Sequence, residues 1–197
     1  MAEASAAVRG RLEGLFGDLL PVEMQGAPGF WFAPWDELIR WWSLEAAMTD
    51  LVDRPELVHQ AMDRLVNAYL ARLDQYVAQG LLARNDNATR IGSGGYGHTK
   101  ALPRPGREGG NLGTKDLWGC ATAQIFSDVS PRMHEAFALH YERRWLDQFG
   151  LTYYGCCEPL DRKVTMLSQV PNLRKLSMSP WVDLERAVAA AKAAGVQ

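Results

Sequence analysis

The sequence predicts an α/β protein with parallel strands covered by helices, either an open sheet or an incomplete (β/α)8 TIM barrel. Two observations lead there. The second half alternates: helix over 130–149, strand over 151–155, helix over 158–170, strand over 173–179, helix over 179–195. Strands that alternate with helices run parallel, because a crossover helix returns the chain to the same end of the sheet. The second observation is size. A complete eightfold barrel takes about 250 residues, whereas this chain has 197 and shows only four or five strand candidates.

The elements follow from local chemistry. Residues 3–16 space Ala6, Val8, Leu12 and Leu15 on one helical face. Residues 19–25 suit a short strand, before Gly26, Pro28 and Gly29 break the chain. Residues 35–51 read as one helix rich in Trp35, Leu38, Ile39 and Trp42. Asp53-Arg54-Pro55-Glu56 is a helix start, with Asp53 as cap and Glu56 completing a capping box. The helix that follows repeats apolar residues every three or four positions, from Leu57 to Val77, and Gly80 ends it. Residues 81–84 form a strand candidate. Residues 91–119 read as a long loop centred on GSGGYGHTKALPRPGREGGNLG. Ser130 caps the next helix, with Pro131 in its first turn.

Composition excludes several classes. Net charge is -2 and the pI near 6.1, so no basic face invites nucleic acid. No run of about 18 apolar residues marks a membrane span, and the charged N-terminus is unlike a signal peptide. A cytoplasmic location is the expectation. Three cysteines, Cys120, Cys156 and Cys157, argue for reduced thiols over a disulfide framework.

Several segments, taken in order, resemble the uroporphyrinogen decarboxylase superfamily. GFWFAPWDEL is similar to that family's Gly-Phe-x-Gly-Ala-Pro-(Trp/Phe)-Thr-Leu stretch. FSDVSPRMHEAFALHYERRWLDQFG resembles its helix with a Phe-x-x-x-Tyr pattern, and TYYGCCEPL and LRKLSMSPWVDL its next two strand-to-helix turns. The resemblance spans residues 29–194 and rests on order more than on any one motif. It implies roughly the C-terminal half of a TIM barrel. The decarboxylase's arginine-rich substrate loop and early aspartate have no match here. The cobalamin- and coenzyme-M-linked methyltransferase branch binds zinc through His-x-Cys at a strand end and a later cysteine. Tyr154-Gly155-Cys156 falls at that place, with tyrosine where the family has histidine.

The turn 155–159 is the leading site. It follows a strand and precedes a helix, the catalytic face of a βα barrel. Cys156 and Cys157 would hold zinc, Glu158 would be a further ligand or carry a proton, and Tyr154 joins them. The same cysteines also suit buried packing. Asn85 and Asn87, after the 81–84 strand, would hydrogen-bond a substrate or form an Asx turn. Gly92-Ser93-Gly94-Gly95 lacks a P-loop's Lys-Ser/Thr, so the loop reads as a flexible flap carrying Tyr96 and His98, the latter an acid-base candidate. Trp118 and Trp181 would line a pocket, and Glu23 is a weaker candidate. His59, His134 and His140 read as structural, and Trp31, Trp35, Trp41 and Trp42 as core or interface.

Three functions follow as expectations. The first is thiol-directed methyl transfer to or from a small molecule, with zinc and a corrinoid protein as partner. The second is tetrapyrrole decarboxylation. The third is a non-catalytic fragment that pairs as a homodimer or with a complementing barrel fragment. Neither nucleic acid nor a membrane is an expected partner.

Overall fold

The computed structural model describes residues 2–107 and 111–196. One parallel sheet has the order β1 (Trp118–Ala121), β2 (Leu151–Tyr154), β3 (Leu173–Leu176). Each strand is four residues long. This overturns the (β/α)8 barrel, whole or half. The candidate strand at 19–25 does not form, and the one at 81–84 leaves a single bridge, Leu82 with Ala27. The sheet ends at β1. There the amide of Asn85 takes the place of a neighbouring backbone: its Oδ1 accepts from Trp118 N at 2.9 Å, and its Nδ2 donates to Trp118 O at 2.9 Å. A side chain that satisfies both backbone groups ends the ladder at that point.

The helices are α1 (Ala2–Phe16), α2 (Pro34–Trp42), α3 (Leu44–Asp53), α4 (Pro55–Ala78), α5 (Pro131–His134), α6 (His140–Leu146), α7 (Val164–Leu167) and α8 (Leu184–Ala193). A π-helical turn, Glu135–Leu139, joins α5 to α6. The expected 35–51 helix is two, because Ser43 turns to φ 65° and caps α3 through Ala46 N. Arg54, not Asp53, stands at the start of α4, and it makes no side-chain cap there. Arg54 instead grips Asp50 at 2.6 Å. Gly80, at φ +62°, follows α4 as expected. Ser130 caps α5 through Met133 N. The expected 158–170 and 179–195 helices shorten to α7 and α8, and α8 is capped by Asp183 through Arg186 N.

Strand alternation gives the sheet two unlike faces. Ala121, Tyr154 and Leu176 join the main core with α2, α4, α6 and α7. At its centre Trp145 stacks on Phe32, centroids 4.6 Å apart, while Trp35 donates its indole N–H to Phe137 O at 3.0 Å. The other face carries Trp118, Cys120 and Tyr153 and is covered by Ile91 and Leu102 from the 91–102 segment. Residues 108–110 of the expected loop lie outside the described residues.

Candidate functional site

The site is built where the strands end. After β2, Gly155 turns the chain at φ +99°, where a side chain would meet Leu160. Cys156 and Cys157 follow, one half-buried and one exposed, with their sulfurs 3.5 Å apart. Burial and the neighbouring Cys157 push the Cys156 thiol up. Glu158 turns inward. Its Oε1 accepts from Thr122 Oγ1 and its Oε2 from Cys156 N, both at 2.8 Å. This fully buried carboxylate therefore staples the end of β1 to the thiol turn.

The glycine-rich segment lies across the sheet face and is held there. A Cβ on Gly92 would sit 2.3 Å from the Tyr153 ring, and one on Gly97 would sit 1.6 Å from Asn85 O. Glycine is required because ring and backbone approach this closely. Gly94 N donates to the Tyr153 hydroxyl at 3.3 Å, and Ser93 Oγ lies 3.4 Å from Ser177 Oγ. Ser177 in turn donates to Cys156 O at 2.8 Å. The segment expected to be a flexible active-site loop packs on this face as a strap.

Two cavities flank the strap. The one on the β1 side, about 460 Å³, is lined by Phe30, Asn85, Arg90, Ser93, Trp118 and Cys120 among others. The one on the β3 side, about 520 Å³, is lined by Tyr96, His98, Tyr153, Lys175 and Ser177 among others. The structure thus places Asn85 and Trp118 in one cavity and Tyr96 and His98 in the other. Trp118 donates its indole N–H to Gly97 O, and the Lys175 ammonium lies 5.1 Å from its ring centre. Asn87 folds into an Asx turn, its Oδ1 accepting from Thr89 N. Glu23 is exposed. Trp181 lines a third cavity, described below.

Tyr154 faces the opposite way, into the helices. Its hydroxyl donates to Glu142 Oε2 and lies 2.6 Å from His134 Nε2. All three residues are buried. Burial holds His134 neutral, lowering it to about 3, and raises Glu142 to about 8. His134 Nδ1 and Glu142 Oε1 have no partner among the described residues. This chain of three stands apart from both strap cavities.

The sequence reading missed Cys120, Arg90 and Ser93. Cys120 sits in a run, WGCA, too short for its periodicity to stand out. Its thiol is 3.2 Å from Phe30 O, and burial pushes it up to about 11. Arg90 and Ser93 come together only through the fold of the strap.

A zinc ion suits three or four thiolate, imidazole or carboxylate ligands. Cys156 and Cys157 supply two, while both Glu158 oxygens are occupied elsewhere. Among the described residues no group of three or more His, Cys, Asp or Glu is placed to hold a metal. The residues present do not make a closed zinc site. Nor is any helix of the described residues long and apolar enough to cross a membrane.

No protein-family model, no curated protein and no solved structure matches this chain.

Proposed function

We propose that the chain acts on a small molecule held under the strap, in thiol-directed methyl transfer in which the thiols themselves, without a closed zinc site, take part. One observation carries the reading: two thiols stand at the carboxyl end of the central strand of a parallel sheet, linked through Ser177 to the strap that walls both cavities. Ligands of open parallel sheets bind outside the carboxyl ends of strands. In the reaction a sulfur attacks a methyl carbon. The C–S bond forms, the bond to the donor breaks, its electron pair stays with the donor, and the thiol proton passes to water.

Decarboxylation of a polycarboxylate needs cations poised to grip it. Each strap cavity offers a single such cation, Arg90 in one, bound to Gly92 O and Ser93 O, and Lys175 in the other, bound to Tyr96 O, fewer than a polycarboxylate calls for. Methyl transfer is therefore the preferred reading. Its test uses isotopically labelled methylcobalamin with the purified chain, read by peptide mass. Label on the 156–157 peptide, or on an added small thiol, supports the reading. Absence of label from both, with the thiols still titratable, contradicts it.

A specific observation favours a partner polypeptide as well. Val8, Leu12, Leu15, Phe16, Leu19 and Leu20 are all 40% exposed or more. So long an apolar stripe marks an interaction surface. Self-association measured by light scattering, and lost on Leu15→Glu, is the expected outcome for a second copy as the cover.

A further inference from the structure

The third cavity, about 480 Å³, opens where the segments after all three strands converge. Its wall includes Asp128 and Ser130 from the β1 side, Asp161, Arg162 and Lys163 from the β2 side, and Trp181 from the β3 side. Lys163 is unusual among the five lysines of the chain. It is 3% exposed, whereas Lys100, Lys115 and Lys192 are exposed and Lys175 is half-buried. Its amine donates to Phe126 O, and among the described residues it makes no ion pair with a carboxylate. Asp161, the nearest acid in sequence, is taken by Arg186 instead. Trp181 stands at the rim with 76% of its surface exposed, a flat apolar platform beside polar groups.

We propose that Lys163 is a nucleophilic amine that forms a Schiff base with a small hydroxylated aldehyde or ketone bound in this cavity. A buried amine without a carboxylate partner is the arrangement that activates a lysine. Burial lowers Lys163 to about 8, against the opposing pull of Glu158, Asp128 and Asp161. A neutral amine can give one hydrogen to Phe126 O and keep its lone pair for the ligand. The nitrogen attacks the carbonyl carbon and a C–N bond forms. The carbonyl oxygen then leaves as water, carrying both amine hydrogens, with Asp128 relaying them. No oxidant or reductant is needed. Trp181 covers the carbon skeleton, while Asp128 and Ser130 meet its hydroxyl groups.

The test uses dihydroxyacetone as probe and cyanoborohydride to trap the imine, with labelled lysines read by peptide mapping. At about 8, Lys163 is far more often unprotonated near neutral pH than at its own ordinary value of 10.5, and it alone of the five lies buried on the cavity wall, so it is labelled at least about tenfold faster than any other lysine. Lys163→Arg removes that label, and Asp128→Asn slows it without changing the others. Trp181→Ala, at an exposed position that the fold does not depend on, lowers the probe's apparent affinity. Labelling that is uniform, or that favours the exposed lysines, overturns the proposal. The Cys156→Ser/Cys157→Ser variant retains Lys163 labelling, so failure of the thiol reading leaves this result intact.

Discussion

The two faces of the sheet solve opposite problems. The helix-covered face packs Ala121, Tyr154 and Leu176 into the main core and buries the chain His134–Tyr154–Glu142. The strap-covered face carries Trp118, Cys120 and Tyr153 under one irregular segment, with a cavity on each side. The first face spends its polar groups inside the fold. The second leaves the Cys120 thiol and the hydroxyls of Ser93, Tyr153 and Ser177 on cavity walls, with the 156–157 thiol turn beside them. The same strands thus give stability on one side and access on the other.

The sharpest way to break this contrast is to cut each face. Trp145→Ala removes the ring stacked on Phe32 and costs about 3–5 kcal/mol. It is checked by denaturant unfolding, and a loss under about 1 kcal/mol would show that the core is not centred there. Gly92→Val drives a side chain into Tyr153 and costs about 1–3 kcal/mol. Its effect falls on strap protection in hydrogen exchange more than on the helices. Asn85→Ala strips two partners from the Trp118 backbone and costs about 1–3 kcal/mol. Asn85→Asp, which sets a buried carboxylate oxygen against Trp118 O, loses at least as much.

Titration sharpens the contrast further. The ordinary values are 4.5 for Glu142 and 6.5 for His134, against about 8 and about 3 in the fold. Below 4.5 the unfolded chain holds one proton more, on His134, so stability falls as pH falls towards 3. Above 6.5 the folded chain holds one more, on Glu142, so stability falls as pH rises towards 8. Between these values the two slopes cancel and this pair contributes a plateau. Each arm has a limiting slope of about 1.4 kcal/mol per pH unit. Glu142→Gln flattens the alkaline arm and His134→Gln the acid arm. The smallest effect is expected at Cys157→Ser, an exposed position, within about 0.5 kcal/mol.

Much of the helix content was legible. The three-and-four spacing from Leu57 to Val77 marks α4 because one face is apolar and Gly80 follows. Ser130-Pro131 marks α5 because capping is a local event. The 151–155 and 173–179 strands were found, at greater length than they have. β1 was missed, since its four residues WGCA are all buried and alternate in nothing a sequence displays. At the β1 edge the sheet ends for a non-local reason: Asn85, 33 residues from Trp118, occupies the neighbouring ladder position with its side chain. The thiol turn was legible from its place after a strand. That Glu158 would turn inward and Tyr154 face the helices depends on Thr122, Glu142 and His134, partners distant in sequence.

Methyl transfer from labelled methylcobalamin, measured side by side in two variants, tests the division of labour most directly. Glu142→Gln alters the helix-covered face, and Cys156→Ser/Cys157→Ser the thiol turn that Ser177 links to the strap. The account predicts that the first variant keeps the transfer rate of the parent chain while its stability profile changes, and that the second loses transfer and stays folded. Transfer abolished by Glu142→Gln and untouched by loss of both thiols would contradict it.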